Sequence, residues 1–318
     1  MNSHSNPNIQ SIRQAFGQTI DQLAKNNPKL YVVSMDLKSS LSLSDFATHY
    51  PARFVECGIA EANAAGVAAG LAKSGKTVFL CSFACFSPAI NWAVIRQSIC
   101  YNNLDVKIVG SHSGLMTAEL GATHQSLEDI ALMTTLPNME VFAPLDTIET
   151  QKITSVLAKS RRPAYLRLVR PSTPVLSNPK FPFTIGKSQV LKKGKDVTII
   201  GYGPILYQAF EVQSILQNQK PSISLEIINC SSVKPLDFDT ILKSVKKTKR
   251  LICLEDHQKN GGLGQIVASL FLSSKIHPKF IHLGVNNQFG RSAKNYQQLY
   301  NYYGIGKNNL LSAIKKII

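Results

Sequence analysis

The chain has 318 residues, 44% hydrophobic and 17% charged, with 35 basic against 19 acidic side chains and a formal net charge of +16. Those proportions suit a globular protein large enough for two cores and exclude a disordered or fibrous chain. They also exclude a spanning helix, which needs roughly 18 to 20 apolar residues in a row. The polar start MNSHSNPNIQ lacks the basic-then-apolar order of a signal peptide. The excess positive charge is spread through runs such as LKKGK (191–195) and KKTKR (246–250). No aromatics interleave them, so they read as a lysine-rich surface suited to anionic small substrates rather than as a nucleic-acid face. The six cysteines include no CxxC pair, and several fall in apolar strand-like runs. That usage predicts reduced thiols in a cytoplasmic protein.

SIRQAFGQTIDQLAKN, apolar at Ile12, Phe16, Ile20 and Leu23, predicts the first helix. LYVVSMD predicts a strand, and an alanine–glycine run opening near Ile59 predicts a helix. KTVFLCSF predicts the next strand, INWAVIRQSICYN a helix and VKIVGSH a strand. After a long loop come a helix from about Leu127, the strand NMEVFAP, a helix near 146–159 and the strand AYLRLVR. The proline-rich stretch PSTPVLSNPKFPFTI reads as an extended linker. Beyond it, DVTIIGYG, SISLEIINC, RLICLED and FIHLGV predict strands, separated by helical segments and followed by a C-terminal helix. Alternating strands and helices indicate α/β architecture with mostly parallel sheets. The expected domains are 1–170 and 186–318, joined by 171–185, without repeats or low-complexity tracts.

One acid stands out. In ECGIAEANAAGVAAGLAKSG (56–75), no charge follows Glu61 until Lys73. Small residues on all sides predict a helix packed closely against other backbone, ending at Lys73-Ser74-Gly75. A carboxylate near its N-terminal end is desolvated, and a buried charge is costly without a partner. Glu61 is then either a capping or ion-paired acid, or a carboxylate that meets a cofactor nitrogen.

FVECGIAEANAAGVAAGLA resembles the pyrimidine-binding domain of transketolases and 1-deoxyxylulose-5-phosphate synthases. The resemblance implies that Glu61 hydrogen-bonds N1′ of the aminopyrimidine of thiamine diphosphate and controls a proton there. Phe83 and Phe86 of VFLCSFACF are core aromatics by composition. By resemblance they match the pair lining the aminopyrimidine ring, with Phe83 stacking on it. GSHSGLMTAELGATHQSLEDIALMTTLPNMEVFAP is similar to the family segment containing GPTHQ. There, Ser126 and Asp129 predict a helix N-cap box that would set His124 just ahead of a positive helix end. The resemblance makes His124 the contact to the donor carbonyl or its hydroxyls and His112 a second substrate-contacting histidine. Arg170, Arg13 and Ser40 match phosphate-binding positions, where arginine supplies bidentate, permanently charged donors.

Two departures bear on substrate. Leu120 stands where transketolases carry an aspartate that reads a donor hydroxyl, and Ala122 replaces a proline. The lost acceptor implies a donor that lacks or repositions that hydroxyl. In the second unit, LEDHQKNGGLGQIVASL and FGRSAKNYQQLYNYYGI also resemble the family, with Ala293 in place of a glycine. Neither GGLG nor GYGPIL is a GxGxxG motif, so no dinucleotide site is expected. The family gives this domain a part in assembly.

The resemblance runs from about residue 9 to 318 and covers the latter half of a full transketolase. It implies a parallel-sheet pyrimidine-binding domain followed by a smaller mixed-sheet C-terminal domain. The family holds the diphosphate and Mg²⁺ with a GDG…N segment in a separate N-terminal domain, and this sequence contains no Gly-Asp dipeptide. The expectation is therefore the C-terminal subunit of a split transketolase, with no metal ligands of its own. Its N-terminal partner would bring the diphosphate and Mg²⁺ site in an α2β2 assembly. That enzyme would move a two-carbon ketol unit between sugars, phosphorylated ones foremost. The alternatives are an acyloin-forming synthase, a 2-oxo acid dehydrogenase β subunit and a non-catalytic paralogue.

Overall fold

In the computed structural model, which describes residues 8–318, seven strands build the first sheet. From one edge they are Ser232–Lys234, Glu140–Phe142, Ala164–Arg167, Val106–Ser111, Thr77–Phe83, Leu30–Ser34 and Phe54–Glu56. The Ser232–Lys234 edge is antiparallel to its neighbour, and the other pairings are parallel. Thr77–Phe83 and Val106–Ser111 are buried at every residue, as central parallel strands covered on both faces must be. Residues 1–7, which make up most of the stretch read as lacking a signal peptide, lie outside the described residues.

The helix Ile12–Asn26 opens at Ser11, whose side chain accepts from the Gln14 amide at 3.3 Å. It buries Phe16 and Ile20 completely. Gly17 sits inside this helix because a Cβ there would come within 2.0 Å of the Ser42 carbonyl oxygen. The alanine helix spans Glu61–Lys73 and buries Ala64, Ala65, Ala68, Ala69 and Ala72. It ends at Gly75, whose φ of +86° is the left-handed position that favours glycine.

The structure corrects two expectations. The alanine helix is covered on one face only, since Gly66 and Gly70 are exposed and a Cβ on either would meet nothing within 4 Å. The helix expected around INWAVIRQSICYN is a single turn, Trp92–Val94, running into a π-helical turn, Ile95–Cys100.

The second sheet has the order Lys279–Val285, Arg250–Gln258, Val197–Gly201, Leu225–Asn229 and Gln189–Lys192. Its last strand is antiparallel and the others are parallel. The strand Ser232–Lys234 lies beyond the linker in sequence yet completes the first sheet. The linker itself is pinned. Ser172–Pro174 pairs antiparallel with Ile9–Ser11, and Asp146 accepts from the Leu176 and Ser177 amides at 2.7 and 2.6 Å. One hydrophobic core runs from Ile12 and Phe16 through Leu254 to Leu310 and Ile314, so the two units share an interior. No helix among the described residues is long and apolar enough to cross a membrane.

Candidate functional site

Parallel strands direct all their carboxyl ends to one edge of the sheet, and ligands of open α/β folds bind there. Phe83 closes the strand Thr77–Phe83, His112 follows Val106–Ser111, Arg170 follows Ala164–Arg167, and Glu61 follows Phe54–Glu56 after a short turn. Glu56 shapes that turn by accepting from the amides of Asp36 (2.7 Å) and Gly58 (3.0 Å).

Glu61 is the first residue of the alanine helix and 9% exposed. Asn91 holds its backbone, donating from Nδ2 to the Glu61 carbonyl at 3.0 Å and to Ser87 Oγ at 3.1 Å. The carboxylate itself finds no hydrogen-bond or ion-pair partner among the described residues, and among them it is neither a side-chain cap nor half of an ion pair. Its charge reaches Cys85, between Phe83 and Phe86. Burial above all, with Glu61 adding to it, pushes that thiol up to about 12.

Phe83, Phe86, His112 and His124 form one aromatic cluster. The two phenyl rings stack at 6.0 Å and 22°, His112 lies 3.8 Å from Phe83, and His124 meets Phe86 edge-on at 5.5 Å. His112 has a φ of +58°, a strained setting for a non-glycine residue that neighbours must enforce. Thr117 Oγ1 donates to its carbonyl at 2.6 Å, and Ser111 Oγ bonds Nδ1 at 2.9 Å.

Arg13 joins the anion positions. Its Nε donates to the Arg170 carbonyl at 3.1 Å and its Nη1 to the Ser40 carbonyl at 2.5 Å. Ser40 therefore contributes its backbone, not its hydroxyl, to this contact. Arg170 pairs with Glu119 at 3.3 Å in a half-exposed bridge, which contributes little stability and yields readily to a competing anion.

Burial first, then the charges of Arg13, Arg170 and His124, lower the His112 imidazole to about 3. The ring is neutral at pH 7. Unfolded chain would protonate it near pH 6.5, so its contribution to stability is intact above about 6.5 and is lost as pH falls toward 3. An NMR titration is expected to show no His112 midpoint between pH 5 and 8 (about the range of an unperturbed histidine), and Arg170→Ala to raise its midpoint. A midpoint near 6.5 in the parent would contradict this environment.

The expected cap box at Ser126 and Asp129 does not form. The helix Asp129–Thr134 starts after Glu128 without a side-chain cap, because a buried guanidinium claims the Asp129 carboxylate. Arg167 Nε donates to Asp129 Oδ2 at 2.8 Å, as does the Tyr165 hydroxyl at 2.7 Å. His124 consequently sits on a turn, five residues ahead of that helix, with Nδ1 bonded to Thr123 Oγ1 at 2.9 Å.

The sequence pattern gave no sign of the second unit's share in this site. Gln125 Nε2 donates to the carbonyls of Ala118 (3.2 Å) and Arg291 (2.9 Å), and the Ala293 amide donates to Ala118 at 3.3 Å. The FGRSA segment thus clamps the loop that carries Leu120 and His124. Asp256 anchors the start of that loop, accepting from the Leu115 amide at 2.9 Å and the Tyr300 hydroxyl at 3.1 Å. Arg167 Nη2 donates to the Asp256 carbonyl at 2.8 Å, which ties both units to Asp129. The GGLG turn serves Glu255, which accepts from the amides of Leu263 (2.8 Å) and Gly264 (3.0 Å). Cys253, Glu255 and His282 place ligand atoms within 4.8 Å of one another. Tyr202, the two amides and His282 already occupy both Glu255 oxygens, and burial pushes the Cys253 thiol well up. That group therefore reads as a structural cap rather than a metal site.

Residues 9–175 match the transketolase pyrimidine-binding domain family and residues 186–310 the transketolase C-terminal domain family. An apulose-4-phosphate transketolase subunit of Phocaeicola vulgatus is 36% identical over 304 residues, covering 95% of this chain and 96% of that protein. Human transketolase is 32% identical over 314 residues, and the match covers 96% of this chain but 49% of the human protein. A solved structure described as split gene transketolase, inactive beta4 tetramer, superposes with a TM-score of 0.86 at 37% identity, covering 96% of this chain and 97% of that one. Two family models over most of the chain, and relatives matched along nearly their full length, converge on one assignment: the chain belongs to the transketolase family.

Proposed function

We propose that this chain is the C-terminal subunit of a split, thiamine diphosphate-dependent transketolase. In this reading 1–170 is the pyrimidine-binding domain, 171–185 the linker and 186–318 the C-terminal domain. The observation that carries it is the Glu61 carboxylate, buried, unpartnered among the described residues, and within electrostatic reach of Cys85, which lies in sequence between the stacked Phe83 and Phe86. A ring nitrogen that shares a proton with Glu61 would satisfy it, so the pyrimidine half of the cofactor fits. When bound, thiamine diphosphate supplies a carbon nucleophile that can take a two-carbon ketol unit from a ketose and pass it to an aldehyde. Glu61 would hold the proton at N1′, while Phe83 and Phe86 would give the ring an aromatic wall and exclude water. His112, kept neutral, and His124 orient the donor carbonyl and hydroxyls. Arg13 and Arg170 bind the donor's anionic end.

The diphosphate and its Mg²⁺ fall to a partner subunit bearing GDG…N. Support for a split enzyme comes from the naming of the Phocaeicola relative as a subunit, and from the beta4 tetramer being described as inactive. The exposed glycine face of the alanine helix leaves room for a neighbour, and α2β2 is the assembly we assign. Six free cysteines fit the cytoplasm.

With the partner present, ketose phosphates are expected to donate and an aldose phosphate to accept. Consumption of pyruvate with ketoses untouched would overturn the reading. Leu120, 38% exposed on the site loop, offers no acceptor. Leu120→Asp is expected to raise kcat/KM by about 10- to 100-fold for donors with a hydroxyl within its reach. Equal kcat/KM for such donors in both chains would remove Leu120 from donor selection.

A further inference from the structure

A separate cavity of about 290 Å³ opens at the seam of the two units. Met116 lines it from the first unit, Thr173 and Pro174 from the linker, and Pro204, Ile205, Tyr207, Glu211, Tyr296 and Lys307 are among its walls from the second. The proposed transfer reaction uses none of these side chains. We propose that this cavity binds a nucleoside, either free or as its monophosphate.

The wall chemistry selects that class. Pro174, Pro204, Ile205 and Met116 make an apolar surface on one hand, and Tyr207 and Tyr296 supply aromatic rings on the other, a setting for a planar heterocycle. The carboxamides of Gln208, Asn301 and Asn308 also line the space, and side-chain amides pair with base edges through one donor and one acceptor. Glu211 and Lys307, both lining the cavity, pair at 3.2 Å. A carboxylate recognises the vicinal hydroxyls of a ribose, and an ammonium recognises a phosphate.

Polar groups in the cavity are left over by the fold. The Tyr207 and Tyr296 hydroxyls make no hydrogen bond among the described residues. The helix Lys307–Ile317 starts at the cavity after Gly306, which provides no side-chain cap, so its first amides are available to an anion. A simple sugar phosphate would use the Lys307 end but would set hydroxyls against the apolar wall, which favours the nucleoside.

The cavity is also wired to the site loop. Tyr300 lines it and donates to Asp256, which holds the Leu115 amide, and Met116 is the next residue. Occupancy should therefore shift the donor KM of the assembled enzyme.

The test is calorimetric titration of the full chain with adenosine, AMP, uridine, UMP, D-ribose and inorganic phosphate. Adenosine and AMP are expected to bind with Kd below about 1 mM, and D-ribose and phosphate not to bind measurably. Tighter binding of AMP identifies the phosphorylated form as the ligand, and equal binding the free nucleoside. Glu211→Gln and Tyr296→Leu should each weaken binding about tenfold with unchanged thermal melts. Arg170→Ala, at the other site, should leave it unaltered. Binding at this cavity does not rest on the transketolase reading, and Glu61→Gln should also bind normally; only the shift in donor KM rests on that reading. No binding of adenosine, AMP, uridine or UMP would overturn it. So would binding that Arg170→Ala abolishes and Glu211→Gln spares.

Discussion

Glu61→Gln, assembled with its partner subunit, is expected to exchange the C2 proton of bound thiamine about 10²- to 10⁴-fold more slowly than the parent. The substitution keeps the volume and the backbone contact to Asn91. It removes the one property the proposed role needs, a carboxyl that can share its proton with a ring nitrogen. Because the carboxylate has no partner among the described residues, stability should barely move. Losing an acid at a helix N-terminus costs about 0.3–1 kcal/mol, and relief from burying a charge opposes that. Exchange within a few-fold of the parent, in a variant that still binds cofactor, would remove Glu61 from the chemistry.

Arg167→Ala should destabilise the fold far more than any of the substitutions above, by about 3–5 kcal/mol. Arg167 is 4% exposed and bonds both the Asp129 carboxylate and the Asp256 carbonyl. Burial opposes its charge, but Asp129 first and then Tyr202 and Asp256 more than compensate, so the guanidinium holds its proton more tightly than usual. Removing it strands the fully buried Asp129, whose Oδ1 already lacks a partner. Urea unfolding of the parent, Arg167→Ala and the double variant with Asp129→Asn checks this, and the double variant should lose less than the sum of the two singles. A loss under about 1 kcal/mol in the single variant would mean that Arg167, between Asp129 and the Asp256 carbonyl, is not the tie between the units that the geometry indicates.

Much of the architecture could be read from periodicity alone. The run VFLCSF is apolar at five of its six positions, as suits a strand covered on both faces. The segment Ser232–Lys234 is three residues long, too short for any pattern, and its place in the first sheet is decided by tertiary contact. The alanine helix misled for a related reason. With alanine and glycine all round, its hydrophobicity has no direction, so residue type could not tell the packed face from the open one.

Of the candidate residues, those matched through the GIAE and THQ stretches converge at one sheet edge. Arg167 escaped notice because in LRLVR it looks like an ordinary surface arginine, whereas Arg170, three residues on, drew attention through the resemblance. Asp129 suggested a cap because a short acid near a helix start usually is one. The competing arginine lies 38 residues away in sequence, beyond any local rule. The clamp from Gln125 to Arg291 spans 166 residues and is equally invisible to spacing.

The most direct measurement is equilibrium binding of thiamine diphosphate with Mg²⁺, first to this chain alone and then to its mixture with a GDG…N-bearing subunit. Weak or absent retention by the single chain, tight retention by the mixture, and loss of ketol transfer in the Glu61→Gln mixture are expected. A mixture that forms the complex and still fails to retain the cofactor would contradict the account.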